Sequence, residues 1–213
     1  SELIEKEDFD GIFPLVKKYG GSVVALTLDE NGIPEDCEGR IEIAKKILST
    51  AKKYGIKKEE IIFDLLTMAV SSNDKAGIET LKAVKILSTE LNANTILGIS
   101  NISFGLPQRE ILTSAFFTMA LTNGLTCAIM NPNSLEIMKA YNSFCTLSGK
   151  DKNCTDYISF AENIISKQPE ILEQNKINNQ NSNSLNSDTI EYAIIKGLKE
   201  QTVLKTKELL KTK

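Results

Sequence analysis

Four polar residues, Asp29, Asp64, Asn101 and Asn131, each stand where an apolar run gives out and turn-forming residues begin, in VVALTLD, IIFD, TILGISN and LTCAIMN. Two carboxylates and two carboxamides make a set rich in acceptors, with donors but without permanent positive charge. An Asp can accept two hydrogen bonds from an adjacent amine and ring NH, while an Asn can donate to a ring nitrogen and accept from another group. Such a set suits a flat heterocycle bearing NH and NH2 groups. For Asp29 and Asn131 the competing explanation is turn and cap chemistry, which uses the same residue types. Turn chemistry accounts poorly for Asp64, which lies within IIFDLLTMAV; an Asp in so apolar a run needs a partner. Arg109, at the start of a helical stretch, could meet a carboxylate or a phosphate-like oxygen, its alternative being a surface Arg at a helix start.

What the chain lacks narrows the chemistry. Among 213 residues there is no histidine, which excludes a Ser-His-Asp triad, a His-bearing zinc site and His acid-base work within this chain. Cys37, Cys127, Cys145 and Cys154 show no CxxC spacing, so reduced, structural thiols are expected and no metal site. With 25 basic against 28 acidic residues and no basic stripe, a nucleic-acid partner is not expected. Apolar runs are far shorter than a membrane span, and SELIEKEDFD is too acidic for a signal peptide. A cytoplasmic protein is the expectation.

Parallel α/β structure must position the four tips. Residues 8–19 read as a short helix closing at Gly20-Gly21, followed by the strand SVVALTLD. A helix over 38–54 shows the apolar face Ile41, Ala44, Ile47, Leu48 and Ala51 and stops at Gly55. Then come strand IIFD, a helix over 74–91, strand NTILGIS, a helix over 108–123, strand LTCAIM and a helix over 133–145. Strands begin near 22, 61, 95 and 126, the spacing that βαβ units require. Continuous apolar strands argue for a parallel sheet covered by helices. Half of a TIM barrel or a small doubly wound sheet would fit, and the absence of GxGxxG weakens the second. Past residue 174, NKINNQNSNSLNS has almost nothing to bury, so 175–187 is expected to be a linker. Asp188 with Glu191 resembles a capping box, and Ile190, Ala193, Ile194 and Leu198 form a stripe; 188–213 therefore reads as the first helix of an all-helical domain.

SNISFGLPQR, followed by AFFTMALTNGLTCAIMNP, closely resembles the pterin-binding domain of cobalamin-dependent methionine synthase and its corrinoid methyltransferase relatives. VVALTLDENGIP and the strand ending in Asp64 share the resemblance, which covers about residues 13–145. It implies the C-terminal half of a (β/α)8 barrel that binds 5-methyltetrahydrofolate and passes its methyl to cob(I)alamin, with residues 1–174 as the half-barrel and 188–213 as the start of a helical cobalamin cap. Asn101 matches the asparagine that hydrogen-bonds the pterin near its methyl-bearing nitrogen, and Asp64 the aspartate on the amino-pyrimidine edge. Gly98 and Arg109 match residues lining the pocket; Asp29 and Asn131 join on position alone. Phe104 is expected to pack beneath the loop. Leu65 stands where many relatives have a proline, and the first four barrel strands have no counterpart here.

The implied chemistry explains an uncharged carboxamide at a strand tip. A tertiary amine is a poor leaving group unless a proton or hydrogen bond reaches its nitrogen, and a neutral Asn donates without adding charge. Gly98 would let backbone approach the ring, and Gly105-Leu106-Pro107 would fix the loop. Methionine synthesis from homocysteine is the implied use, with the cobalamin-carrying domain and the zinc thiolates for homocysteine outside this chain. Two alternatives stand beside it. One is a barrel of the dihydropteroate synthase type, which would want a Lys and basic contacts to a pyrophosphate on late strands. The other is a catalytically silent fragment that acts only as a folding or association unit, since a half-barrel's open edges invite pairing with a second copy or its missing half.

Overall fold

The computed structural model describes residues 9–165, 190 and 199–211. The chain divides into two compact units, Ser1–Leu147 and Ser148–Lys213. In the first, helices and strands alternate: α1 (Phe9–Tyr19), β1 (Val23–Leu26), α2 (Cys37–Lys53), β2 (Ile61–Asp64), α3 (Ala76–Thr89), β3 (Asn94–Gly98), α4 (Arg109–Thr122), β4 (Cys127–Ile129) and α5 (Leu135–Leu147). The expected elements are all present. Local differences lie at the strand ends: β1 stops at Leu26, short of Asp29, a 3-10 turn over Lys58–Glu60 precedes β2, and β3 stops at Gly98, where the chain tightens into a 3-10 turn over Ile99–Ser103.

The four strands pair in parallel in the order β1-β2-β3-β4. Strand order follows chain order without a reversal, so right-handed crossovers place every connecting helix on the same face. The packing agrees: α2 lies against α1 and α3, and α4 against α3 and α5, as one row. Ile61, Phe63, Thr95 and Leu97 point into that helical layer and are buried. The alternate residues point the other way. There Val24, Leu26 and Ile129 are 49%, 47% and 58% exposed, so the second face of the sheet has no cover within the described residues. Register aligns Leu26, Asp64, Ile96 and Cys127 across that open face. A doubly wound sheet, the other architecture open to the sequence, would carry helices on both faces.

The core lies between the sheet and the helical row. Phe63, Leu97, Val84, Leu87 and Phe117 are among its fully buried members, and Phe117 stacks on Tyr141 with ring centroids 6.4 Å apart, joining α4 to α5. Asp36 caps α2 by accepting from Gly39 N at 2.9 Å, and Glu79 on α3 accepts from Cys37 N at 3.0 Å, tying the two helices at their N-terminal ends. Among the described residues no helix is long and apolar enough to cross a membrane.

The turn from α4 into β4 depends on Gly124, whose φ is +95°. A Cβ there would collide with the Oγ and Cβ of Ser88, the hydroxyl that donates to Asn123 O at 2.9 Å. Gly124→Ala therefore combines a disfavoured backbone region with a displaced hydrogen bond, and the expected loss is about 2–4 kcal/mol. A lowered urea midpoint at unchanged m-value is the check.

In the second unit, residues 155–165 and Lys199–Lys211 are helical. Asp151 accepts from the backbone N–H groups of Asp156 and Tyr157, at 3.1 and 3.0 Å, which caps the first of these helices. The Asn/Ser-rich stretch 175–187 and the stripe residues Ala193, Ile194 and Leu198 lie outside the described residues.

Candidate active site

Because the four strands run parallel, their C-terminal ends form one rim, from which the βα loops rise. Asp29, Asp64 and Asn131 follow or end β1, β2 and β4 on this rim, and Asn101 sits three residues past the end of β3.

Their side chains are not equivalent. Asp29 Oδ1 accepts from Asn31 N at 2.8 Å, and Asn131 Oδ1 from Asn133 N at 3.0 Å; both build turns, as their competing explanation foresaw. Asp64 makes the same kind of contact, Oδ1 accepting from Leu66 N at 2.9 Å with Leu66 at φ +56°. Turn chemistry therefore does account for one oxygen of Asp64, contrary to the reading from sequence. It does not account for the other, since Asp64 Oδ2 has no hydrogen-bond partner among the described residues. Burial pushes the Asp64 pKa up, with the Leu66 N–H pulling part of the way back. An ionised carboxylate here is short of partners, and donors from a ligand would supply them.

Asn101 is the member of the set with an uncommitted side chain. Its backbone carbonyl accepts from Phe104 N at 3.1 Å, but its carboxamide is exposed and no hydrogen bond from it occurs among the described residues. The carboxamide folds back over the end of β3. A Cβ built on Gly98 would lie 3.2 Å from Asn101 Nδ2 and 3.8 Å from its Cγ. Gly98 has φ −75°, a value open to any residue, so it is needed for space and not for backbone freedom. Gly98→Ala should leave stability within about 0.5 kcal/mol of the parent. It should displace the Asn101 carboxamide by a few tenths of an ångström, slowing any reaction that depends on that amide roughly tenfold. Paired rate and melting measurements check both halves.

The loop after β2 and the turn after β3 form one unit. Val70 N donates to Ile102 O at 3.0 Å, and Ser71 Oγ donates to Phe104 O at 2.6 Å. Arg109 works on the same turn: Nη2 donates to Ser100 O at 2.7 Å and Nε to Ser103 Oγ at 3.2 Å. Its guanidinium lies 5.6 Å from the centroid of Phe104. Arg109 is thus chiefly a clamp on the turn that carries Asn101. Phe104 does not pack beneath the loop as expected; it is 65% exposed, because the 3-10 turn spends Ile99, Ile102 and Ser103 on the interior and leaves position 104 outward.

The most consequential side chain missed in the sequence is Arg40. It is 1% exposed and spans two loops: Nε donates to Pro34 O at 2.9 Å, and Nη1 to Leu65 O at 3.0 Å and to Thr80 Oγ1 at 2.9 Å. The signal was its spacing, since 37, 40, 44, 47 and 51 are one stripe of α2 and all five are buried. Among the described residues no group of three or more His, Cys, Asp or Glu could hold a metal ion.

The sequence profile of the family described as pterin binding enzyme matches residues 3–131. Over 141 residues the chain is 33% identical to the methylcorrinoid:tetrahydrofolate methyltransferase of Eubacterium limosum, an alignment covering 63% of this chain and 50% of that protein. It is 34% identical over 147 residues to the methionine synthase of Mycobacterium leprae (strain TN), covering 62% of this chain and 12% of that protein. A further methionine synthase, from Mycobacterium tuberculosis (strain ATCC 25618 / H37Rv), is 32% identical over 147 residues, with coverage of 62% and 12%. The chain therefore spans half the length of the first relative and about an eighth of the other two.

Proposed function

The chain belongs to the pterin-binding enzymes, and from that premise we propose that it holds the pterin of 5-methyltetrahydrofolate while the methyl group passes to a corrinoid. The observation that carries the proposal is the uncommitted Asn101 carboxamide over Gly98, on the strand next to the one that ends in Asp64. In this reading Asp64 accepts from the amino and ring NH groups of the pterin. Asn101 donates through Nδ2 to the methyl-bearing ring nitrogen. Breaking the carbon–nitrogen bond would leave the electron pair on that nitrogen, where the Asn101 donor would stabilise it until a solvent proton neutralises it; a reduced corrinoid, when bound, would supply the nucleophile that accepts the methyl group. Arg109 holds the turn, and Asp29 and Asn131 shape neighbouring loops at the rim.

The names of the relatives support a methyltransferase of the folate and corrinoid type. The proposal extends to methionine synthesis from homocysteine, with the corrinoid, cobalamin, carried by a domain outside the described residues, and zinc and homocysteine chemistry elsewhere. It also extends to architecture. The exposed apolar face of the sheet and the outer edges of β1 and β4, unpaired among the described residues, support a half-barrel completed by further βα units or by a second copy of the chain.

The test is equilibrium binding of 5-methyltetrahydrofolate to the full protein, followed by single-turnover transfer to added cob(I)alamin. Saturable binding with transfer is expected. Absence of binding would remove the proposal, and binding without transfer would confine the chain to pterin recognition.

A further inference from the structure

We infer that Arg40, whose side chain hydrogen-bonds to none of the residues proposed to meet the pterin, is the positioning residue that sets the angle of Asp64. The inference rests on the pterin-binding reading for its consequence, though not for its geometry.

A fully buried guanidinium is costly, and it is retained only where its donors are satisfied. Arg40 makes no ion pair among the described residues; its Nε and Nη1 donors go to two backbone carbonyls and one hydroxyl. Those acceptors are not scattered. Pro34 belongs to the loop after β1, Leu65 is the residue directly after Asp64, and Thr80 is on α3, where its hydroxyl donates in turn to Ala76 O at 2.8 Å. Arg40 therefore holds the carbonyl end of the Leu65–Leu66 peptide, while Asp64 Oδ1 accepts from the N–H end of that same peptide. Release of the Leu65 carbonyl would free Leu66 from its positive φ, and with it the hydrogen bond that aims the carboxylate. The effect extends further along the chain, because Val70 N binds Ile102 O and so connects this loop to the turn bearing Asn101. A lysine carries a single head and cannot reach three acceptors arranged for a planar fork.

The experiment uses the full chain with Arg40→Met, Arg40→Lys and Thr80→Val, the last loosening the guanidinium should either replacement of Arg40 fail to fold. Amide hydrogen exchange without ligand is the first readout. Exchange at Leu66 and Val70 should rise by about tenfold or more, with Ile61, Ile62 and Phe63 unchanged; unchanged exchange at Leu66 would overturn the inference. Binding of 5-methyltetrahydrofolate is the second. Arg40→Met should weaken it about tenfold in the parent but by less than about threefold in an Asp64→Ala background, because a residue acting chiefly through Asp64 has little left to act on once the carboxylate is gone. Equal losses in both backgrounds would make Arg40 a structural residue and overturn the inference. If the parent protein binds no folate, the pterin reading fails, and the exchange comparison still decides the role of Arg40.

Discussion

Asn101→Ala, in the full protein with 5-methyltetrahydrofolate saturating, slows methyl transfer to cob(I)alamin by about 10² or more, the scale on which loss of one positioned donor is felt. The reason lies in where the bond breaks. Departure of the ring nitrogen places an electron pair on it, and water in a partly closed site is a poorly oriented substitute for an amide held at fixed distance. The carboxamide of Asn101 is held without being used: Gly98 leaves it room, Arg109 clamps Ser100 and Ser103 on either side of it, and nothing among the described residues accepts its proton. Because the substitution removes no internal hydrogen bond and the side chain is exposed, stability should stay within about 0.5 kcal/mol of the parent. Affinity for the methylated substrate should fall as well if the same amide already touches the ground state. Transfer at the parent rate would reduce Asn101 to a turn former and leave the site without its donor.

The contrast between Asn101 and its three companions marks where sequence stops being informative. Strand spacing and apolar periodicity are properties of whole segments, so the alternating elements and the parallel sheet could be read directly. The common rim followed from parallel pairing alone. Whether an Asp or Asn at the rim is spent on its own loop depends on the dihedral angles of two residues. Three of the four proved to be turn acceptors, with Asp64 among them despite its apolar surroundings. Phe104 was misread for a related reason. A hydrophobic residue four positions after an apparent strand looks interior, but the 3-10 turn rotates it outward. Arg40 was legible in principle, as a cation on the buried stripe of an amphipathic helix. A stripe that includes Arg is ordinarily read as a boundary, and only the three acceptors beneath it show otherwise.

Asp64→Asn should act on binding instead of on the chemical step, raising the dissociation constant for 5-methyltetrahydrofolate about 10²-fold while transfer at saturation changes less than about threefold. The side chain has two oxygens with separate duties. Oδ1 serves Leu66 N, and Oδ2, without a partner among the described residues, is the oxygen proposed to meet the ligand. An Asn has one oxygen for both. If the oxygen stays with Leu66, the NH2 group faces the pterin's own donors; if it turns to the pterin, the NH2 group faces the Leu66 N–H. Either orientation loses a charge-assisted hydrogen bond and opposes two donors. The pH dependence separates this account from simple disruption. Burial raises the folded pKa of Asp64 above that of the unfolded chain, so the cost of burying the ionised carboxylate is fully present above the folded pKa. That cost is relieved as pH falls through the folded pKa toward the unfolded value, and the ligand-free protein gains stability in that window. Binding has the opposite sign. A ligand that donates to the carboxylate favours the ionised form, so affinity is complete above the raised pKa and declines below it, approaching tenfold per pH unit, until the pKa of the bound state is reached. In Asp64→Asn that acidic limb should vanish, because the amide does not titrate. A titration series on both proteins, corrected for protonation of the folate itself, reads the limb directly. Its persistence in Asp64→Asn would assign it to another group and remove Asp64 from the pterin edge.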